Sequence, residues 1–222
     1  AIVGPNGAGK TTYFNLISGQ VKASSGEVLL SGQRLGNMSV SARTHAGLGR
    51  AFQLTNLFPN LSVIENVRLA VQASRDGKHR GGLNLWSIWS DHKGLIQRAQ
   101  EILETVAMAD KQNAAVASLP HGDQRKLEVA LLMALDPLVY MFDEPTAGMS
   151  AEEAPVILNL IRQLKADKRK TILLVEHKMD VVRELADRII VLHNGQLVAD
   201  GEPAEVIASP IVQEAYLGIA PV

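Results

Sequence analysis

Apolar residues recur along this chain with two different periods. Short unbroken runs, Leu138–Phe142 and Thr171–Val175, predict strands buried on both faces. Ile189–Leu192 and Gln196–Ala199 flank His193-Asn194-Gly195, and Asn-Gly between two such runs predicts a hairpin. Gly26–Leu35 reads as strand and turn. Elsewhere the spacing is helical. Tyr13, Phe14, Leu16 and Ile17 predict a helix that stops at Gly19, a glycine C-cap. Ser62-Val63-Ile64-Glu65 is a capping box, followed by Ile64, Val67 and Val71 on one helical face. Leu95, Ile96, Ala99, Ile102, Leu103 and Val106 form an amphipathic stripe. Further helices are predicted over 123–135 and 150–168, the second carrying Pro155 near its start. The polar stretch 74–82 is predicted as a loop. Strands alternating with helices predict an α/β fold with a mostly parallel sheet, interrupted by a mainly helical block.

The chemistry begins almost at residue 1. Gly4-Pro5-Asn6-Gly7-Ala8-Gly9-Lys10-Thr11-Thr12 fits the phosphate-loop pattern G-x-x-x-x-G-K-[ST] at every fixed position. Glycines let the backbone wrap an anion with its N–H groups turned inward. The helix that follows adds unpaired N–H donors and the positive end of its dipole. Lys10 supplies a cation for the terminal phosphates, and Thr11 a hydroxyl for Mg²⁺. Only Ala1-Ile2-Val3 lead in, where a strand of about five or six residues is usual. The sequence therefore reads as N-terminally truncated.

Two strand ends carry further candidates. Asp143 and Glu144 close the run Leu138–Phe142, and ligands of open α/β sheets bind beyond such carboxyl ends. Asp143 is placed to hold the Mg²⁺ shell, Glu144 to orient and deprotonate an attacking water. His177, just past Thr171–Val175, is a candidate contact for the γ-phosphate.

Composition narrows the class. At 222 residues and net charge −1, the composition argues against a nucleic-acid binder driven by a basic face. It has no cysteine, which rules out disulfides and thiolate metal sites. No apolar run approaches the roughly 18–20 residues of a membrane span.

Six segments in order resemble the ABC-type ATPases: GPNGAGKT, Gln53 within GRAFQLTNLF, LPHGDQRKLEVA (119–130), LVYMFDEPT, AGMS and LVEHK. The resemblance covers nearly the whole chain. It implies a phosphate-loop NTPase (RecA-like) core over 1–55 and 136–222, with a helical signature subdomain over 56–135. It implies that Gln53 contributes to the magnesium and catalytic site. It also implies that two such domains sandwich two ATP molecules, each held between one subunit's phosphate loop and the other's signature, here at Gly122 and Asp123. The chain departs from the family pattern at Pro120, where the usual signature has a serine, and at Ser150, where an aspartate is usual. The family's adenine-stacking aromatic lies upstream of the phosphate loop.

Within that family the chain is most similar to ATPase subunits of branched-chain amino-acid importers. FQLTNLFPNLSVIENV, the insert with Trp86 and Trp89, the Pro-His-Gly signature, AGMS and the ending VQEAYLG carry that likeness. It implies a second ATPase subunit, identical or different, two membrane permease subunits and a solute-binding protein. It places the chain peripherally on the cytoplasmic face of the membrane, with no nucleic-acid partner. The competing readings are a urea or amide importer ATPase, a soluble ABC ATPase acting on DNA or ribosomes, and a P-loop kinase or GTPase. A GTPase would show an Asn-Lys-x-Asp guanine reader, and the sequence has none.

Overall fold

The computed structural model describes residues 1–51, 57–74, 93–210 and 212. Eight strands and eight α-helices lie among them. They are β1 (Ile2–Val3), α1 (Lys10–Ser18), β2 (Leu29–Leu30), β3 (Gln33–Arg34), α2 (Val40–Ala46), β4 (Leu48–Ala51), α3 (Val63–Gln72) and α4 (Lys93–Thr105). Then come α5 (His121–Leu135), β5 (Val139–Asp143), α6 (Ala154–Ala166), β6 (Thr171–Val175), α7 (Met179–Leu185), β7 (Ile189–His193), β8 (Gln196–Gly201) and α8 (Pro203–Ala208). Six strands form a sheet in the order β4-β5-β6-β1-β7-β8, while β2 and β3 pair separately. β1 runs parallel to both β6 and β7, with Ile2 opposite Val175 and Ile190. β8 returns antiparallel to β7 through the Asn194-Gly195 turn. The expectation of a mostly parallel α/β sheet holds.

The chain divides into two compact units. One comprises Ala1–Leu48, Met141–Glu144 and Ile172–Val222, and the other Gly49–Tyr140 and Pro145–Thr171. In the first, Val3, Val182, Ile189, Val191, Val206 and Val212 form a buried cluster between strand and helix. Fully burying side chains of this size contributes about 1.5–3 kcal/mol each. In the second, α3, α4 and α5 pack on one another through Val67, Val71, Leu95, Ala99, Ile102, Leu103 and Leu127, all buried.

Local chemistry explains the element ends. α3 starts on the capping box read from the sequence: Ser62 N–H donates to Glu65 Oε2 at 3.0 Å, and Glu65 N–H to Ser62 Oγ at 3.3 Å. α1 ends at Gly19, whose φ of 84° lets its N–H reach back to the last turn. α5 begins at His121, two residues before the predicted start, with Pro120 as its N-cap. α6 begins at Ala154 rather than Ser150, with Pro155 in its first turn. A helix begun at 150 would have carried the proline into its interior, where the missing N–H and the ring clash break the ladder. Of the predicted loop 74–82, only Ser74 lies among the described residues; Trp86, Trp89 and the ending VQEAYLG, apart from Val212, lie outside them.

Candidate functional site

The phosphate loop joins β1 to α1. Gly4 and Ala8 are buried, whereas Asn6, Gly7, Thr11 and Thr12 are exposed at the head of the helix, with Pro5 and Gly9 partly covered. Gly9, at φ 98°, is the N-cap of α1 and lends no side chain to it. Lys10 folds back across the loop, donating from Nζ to Gly4 O at 2.7 Å and to Pro5 O at 3.0 Å. Its side chain is almost fully enclosed. Burial pushes the Lys10 ammonium below its ordinary range, and the neighbouring charges of Glu144 and Asp143 pull it back up. The lysine and both acids thus share one electrostatic neighbourhood.

Asp143 ends β5 and Glu144 follows it. Glu144 sits at φ 51°, a left-handed conformation that non-glycine residues rarely adopt. Its N–H donates to Val175 O, the last carbonyl of β6, at 3.0 Å. That bond holds the strained backbone beside the end of β6, two residues before His177. His177 Nε2 lies 2.7 Å from Glu144 Oε1, and with the proton on Nε2 the ring donates to the carboxylate. Both side chains are about four-tenths exposed, so solvent reaches the pair. The His177 N–H is itself taken by Glu176 Oε2 at 2.8 Å. The structure thus places His177 against the acid next to the phosphate loop.

Gly122 and Asp123 belong to the other unit. Both are buried in the first turn of α5. Asp123 accepts from Lys111 and, at 3.3 Å, from Lys126. Burial alone would raise its carboxyl, but the two lysines outweigh it and hold the group below its usual value. A depressed folded value means the contribution is present above the ordinary Asp range. It is lost as pH falls through the lowered value. Asp123→Asn should therefore cost about 1–3 kcal/mol at neutral pH and flatten the acid limb of a stability-versus-pH profile measured by denaturant unfolding.

Ser150, where the sequence departs from the family, closes a reciprocal cap with Glu153. Ser150 N–H donates to Glu153 Oε2, and Glu153 N–H to Ser150 Oγ, both at 3.2 Å. The same carboxylate lies over Gly122, where an added Cβ would meet Glu153 Oε1 at 2.0 Å. The S-x-x-E spacing at 150–153 is the sequence signal for this contact. Gln53 lies outside the described residues.

Gly4 is where the loop is tightest. A Cβ there would fall 2.2 Å from Leu192 O of β7, and φ is 155°. A backbone oxygen cannot step aside as a side-chain tip can. Gly4→Ala should lower stability by about 1–3 kcal/mol, the usual cost of overpacking. Thermal unfolding checks the loss, and a parallel fall in nucleotide binding checks that the strain reaches the loop.

Fold and loop together define the class, a phosphate-loop NTPase. The ABC transporter family model matches residues 1–147. The chain belongs to that family, whose members of this kind are ATPases. A second model, described as branched-chain amino acid ATP-binding cassette transporter, matches residues 196–220. The high-affinity branched-chain amino acid transport ATP-binding protein LivG of Escherichia coli (strain K12) is 37% identical over 221 residues, covering 99% of this chain and 87% of that protein. BraF of Pseudomonas aeruginosa, which carries the same description, is 33% identical over 221 residues, with 99% and 87% covered. Among solved structures, a nucleotide-free ATP-binding cassette from an ABC transporter superposes with a TM-score of 0.77 at 29% identity, covering 98% of this chain and 87% of that one. A dimeric post-hydrolysis cassette bound to ADP and Pi superposes with a TM-score of 0.76 at 27% identity, covering 91% and 84%.

Proposed function

We propose that this chain is the ATP-hydrolysing subunit of an importer for branched-chain amino acids. The observation that carries the chemistry is the 2.7 Å contact between Glu144 and His177, with Glu144 acting on Lys10. Nucleotide phosphates lie on backbone N–H groups of the glycine loop and of the first turn of α1, and the Lys10 ammonium leaves its two loop carbonyls for them. Glu144 takes a proton from water, and the water oxygen forms a bond to the γ-phosphorus. The bond from that phosphorus to the bridging oxygen breaks, and ADP departs with the electron pair. His177 keeps the Glu144 carboxylate facing that water. The relatives' descriptions and the short match at 196–220 support branched-chain amino acids as the transported class.

Mg²⁺ fits the residues present. Among the described residues no three acids or histidines cluster as a metal cage. Magnesium needs none, because it is held by one or two protein groups plus substrate phosphates. Thr11 and Asp143 are the groups that would hold it, with Gln53 joining them on the family pattern. It would neutralise charge on the transferred phosphoryl group.

No helix among the described residues is long and apolar enough to cross a membrane. In this reading permease subunits carry the solute, a solute-binding protein delivers it, and this chain docks on the cytoplasmic side beside a second ATPase subunit. Residues 56–135 relay closure to the permease, and the N-terminal turn of α5, which carries the buried Gly122 and Asp123, faces the partner subunit's nucleotide. The test is reconstitution with the membrane and binding-protein partners in vesicles. Leucine, isoleucine and valine should enter only with Mg²⁺ and ATP, and a chelator should stop them. Uptake of urea or an amide instead would replace the solute assignment. Uptake that ignores ATP would remove the motor assignment.

A further inference from the structure

We propose that the Asn194-Gly195 turn is a positioning element for the nucleotide site, one that aims the Gly9 N–H at the bound phosphates. The proposal deepens the function given above and rests on nucleotide binding at residues 4–12. Three contacts join this turn and its strand to the loop. The Gly195 N–H donates to Ala8 O at 3.0 Å. A Cβ on Gly9 would lie 3.4 Å from Gly195 Cα. Leu192 O, two residues before the turn, sits against Gly4.

The mechanism follows from peptide planarity. Ala8 C=O and Gly9 N–H belong to one peptide unit, and the described chain has no cis bond. In a trans unit the two groups point in opposite directions. Anchoring the carbonyl on the turn therefore sends the N–H to the side away from it. That N–H is the last loop donor before the helix, the kind of group from which phosphate cradles are built. Without the anchor the peptide plane is free to rotate, and the donor swings off the phosphate.

The turn is shaped for this task. Asn194 and Gly195 have φ of 48° and 75°. These values make a two-residue hairpin turn in which both central residues are left-handed. A side chain on Gly195 would meet nothing within 4 Å. Substitution there strains the backbone that presents the N–H without colliding with the loop. The Ser31-Gly32 turn between β2 and β3 is a matched reference. Its φ values are 50° and 79°, and a side chain on Gly32 would also meet open space.

The experiment measures ATP and ADP dissociation constants for the full-length subunit and three variants. Gly195→Val, β-branched and hostile to positive φ, should weaken both nucleotides by about tenfold, the low end of a charged hydrogen bond. Gly195→Asn, which tolerates the left-handed region, should restore binding to within about twofold. Gly32→Val should lower thermal stability as much as Gly195→Val while leaving nucleotide affinity alone. In steady state Gly195→Val should raise KM with kcat nearly unchanged, because the contact serves substrate and transition state alike. Wild-type affinity in Gly195→Val, or an equal loss in Gly32→Val, overturns the positioning role and leaves the ATPase reading intact. A wild-type subunit that binds no nucleotide overturns both.

Discussion

Glu144→Gln should slow ATP turnover by about 10²–10⁴-fold, the range for a lost general base, while ATP still binds. The substitution is almost isosteric. An amide oxygen keeps an acceptor for His177 Nε2, which sits 2.7 Å from the present carboxylate. The backbone bond from Glu144 N–H to Val175 O is untouched, so the left-handed residue stays held. Only the capacity to take a proton is removed. ATP binding draws on the glycine loop and on Lys10, which remain. Removing the Glu144 charge also takes a negative group out of the electrostatic neighbourhood in which Lys10 meets phosphate. Phosphate release under single-turnover conditions, together with equilibrium ATP binding, separates the two quantities. Turnover equal to the wild type would remove Glu144 from the reaction. His177→Ala should give a smaller loss, since the carboxylate survives and loses only its orientation.

The local features of this protein were legible in its sequence because each rests on residues within a few positions of one another. The phosphate loop, the Ser62–Glu65 box, the Gly19 stop and the Asn194-Gly195 hairpin all belong to this kind, and each appears where it was read. The start of α6 was misplaced because apolar periodicity continued through Pro155, while the proline itself fixed the boundary. The acids at the end of β5 could be placed from strand logic. The positive φ of Glu144 could not, because it depends on a bond to Val175, 31 positions onward. Nor does any spacing rule bring Gly195 to Ala8. The hairpin is written in the sequence, but its neighbour is chosen by β1 lying parallel to β7. Ser150 looked like a missing aspartate. Its actual partner, Glu153, lay three residues away in a spacing that signals caps.

Arg43→Ala should destabilise the protein by about 3 kcal/mol, a loss of the size seen when buried polar groups are orphaned. No motif marks Arg43, yet it is only 4% exposed. Its guanidinium donates to Leu16 O at 2.8 Å and to Ile17 O at 2.6 Å, two carbonyls in the last turn of α1. It also donates to Met38 O and Gly36 O, each at 3.3 Å. The C-terminal carbonyls of a helix have no partners within it, and a fixed cation there also answers the negative end of the dipole. Arg43 therefore closes the far end of the helix whose near end carries the phosphate loop. Alanine removes the guanidinium from all four carbonyls, leaving Leu16 O with only the 3.3 Å bond from the Gly19 N–H, and opens a void beside Gly19, whose added Cβ would have met the Arg43 side chain at 2.7 Å. Arg43→Lys should recover part of the loss, since an ammonium has three donors but not the planar fork that reaches several carbonyls together. Urea unfolding of the three proteins orders them, with wild type highest, lysine between and alanine lowest. A lysine variant as stable as the wild type would mean that charge alone, rather than the fork, holds the end of the helix. An alanine variant unfolding with the wild type would show that water replaces all four bonds at no cost.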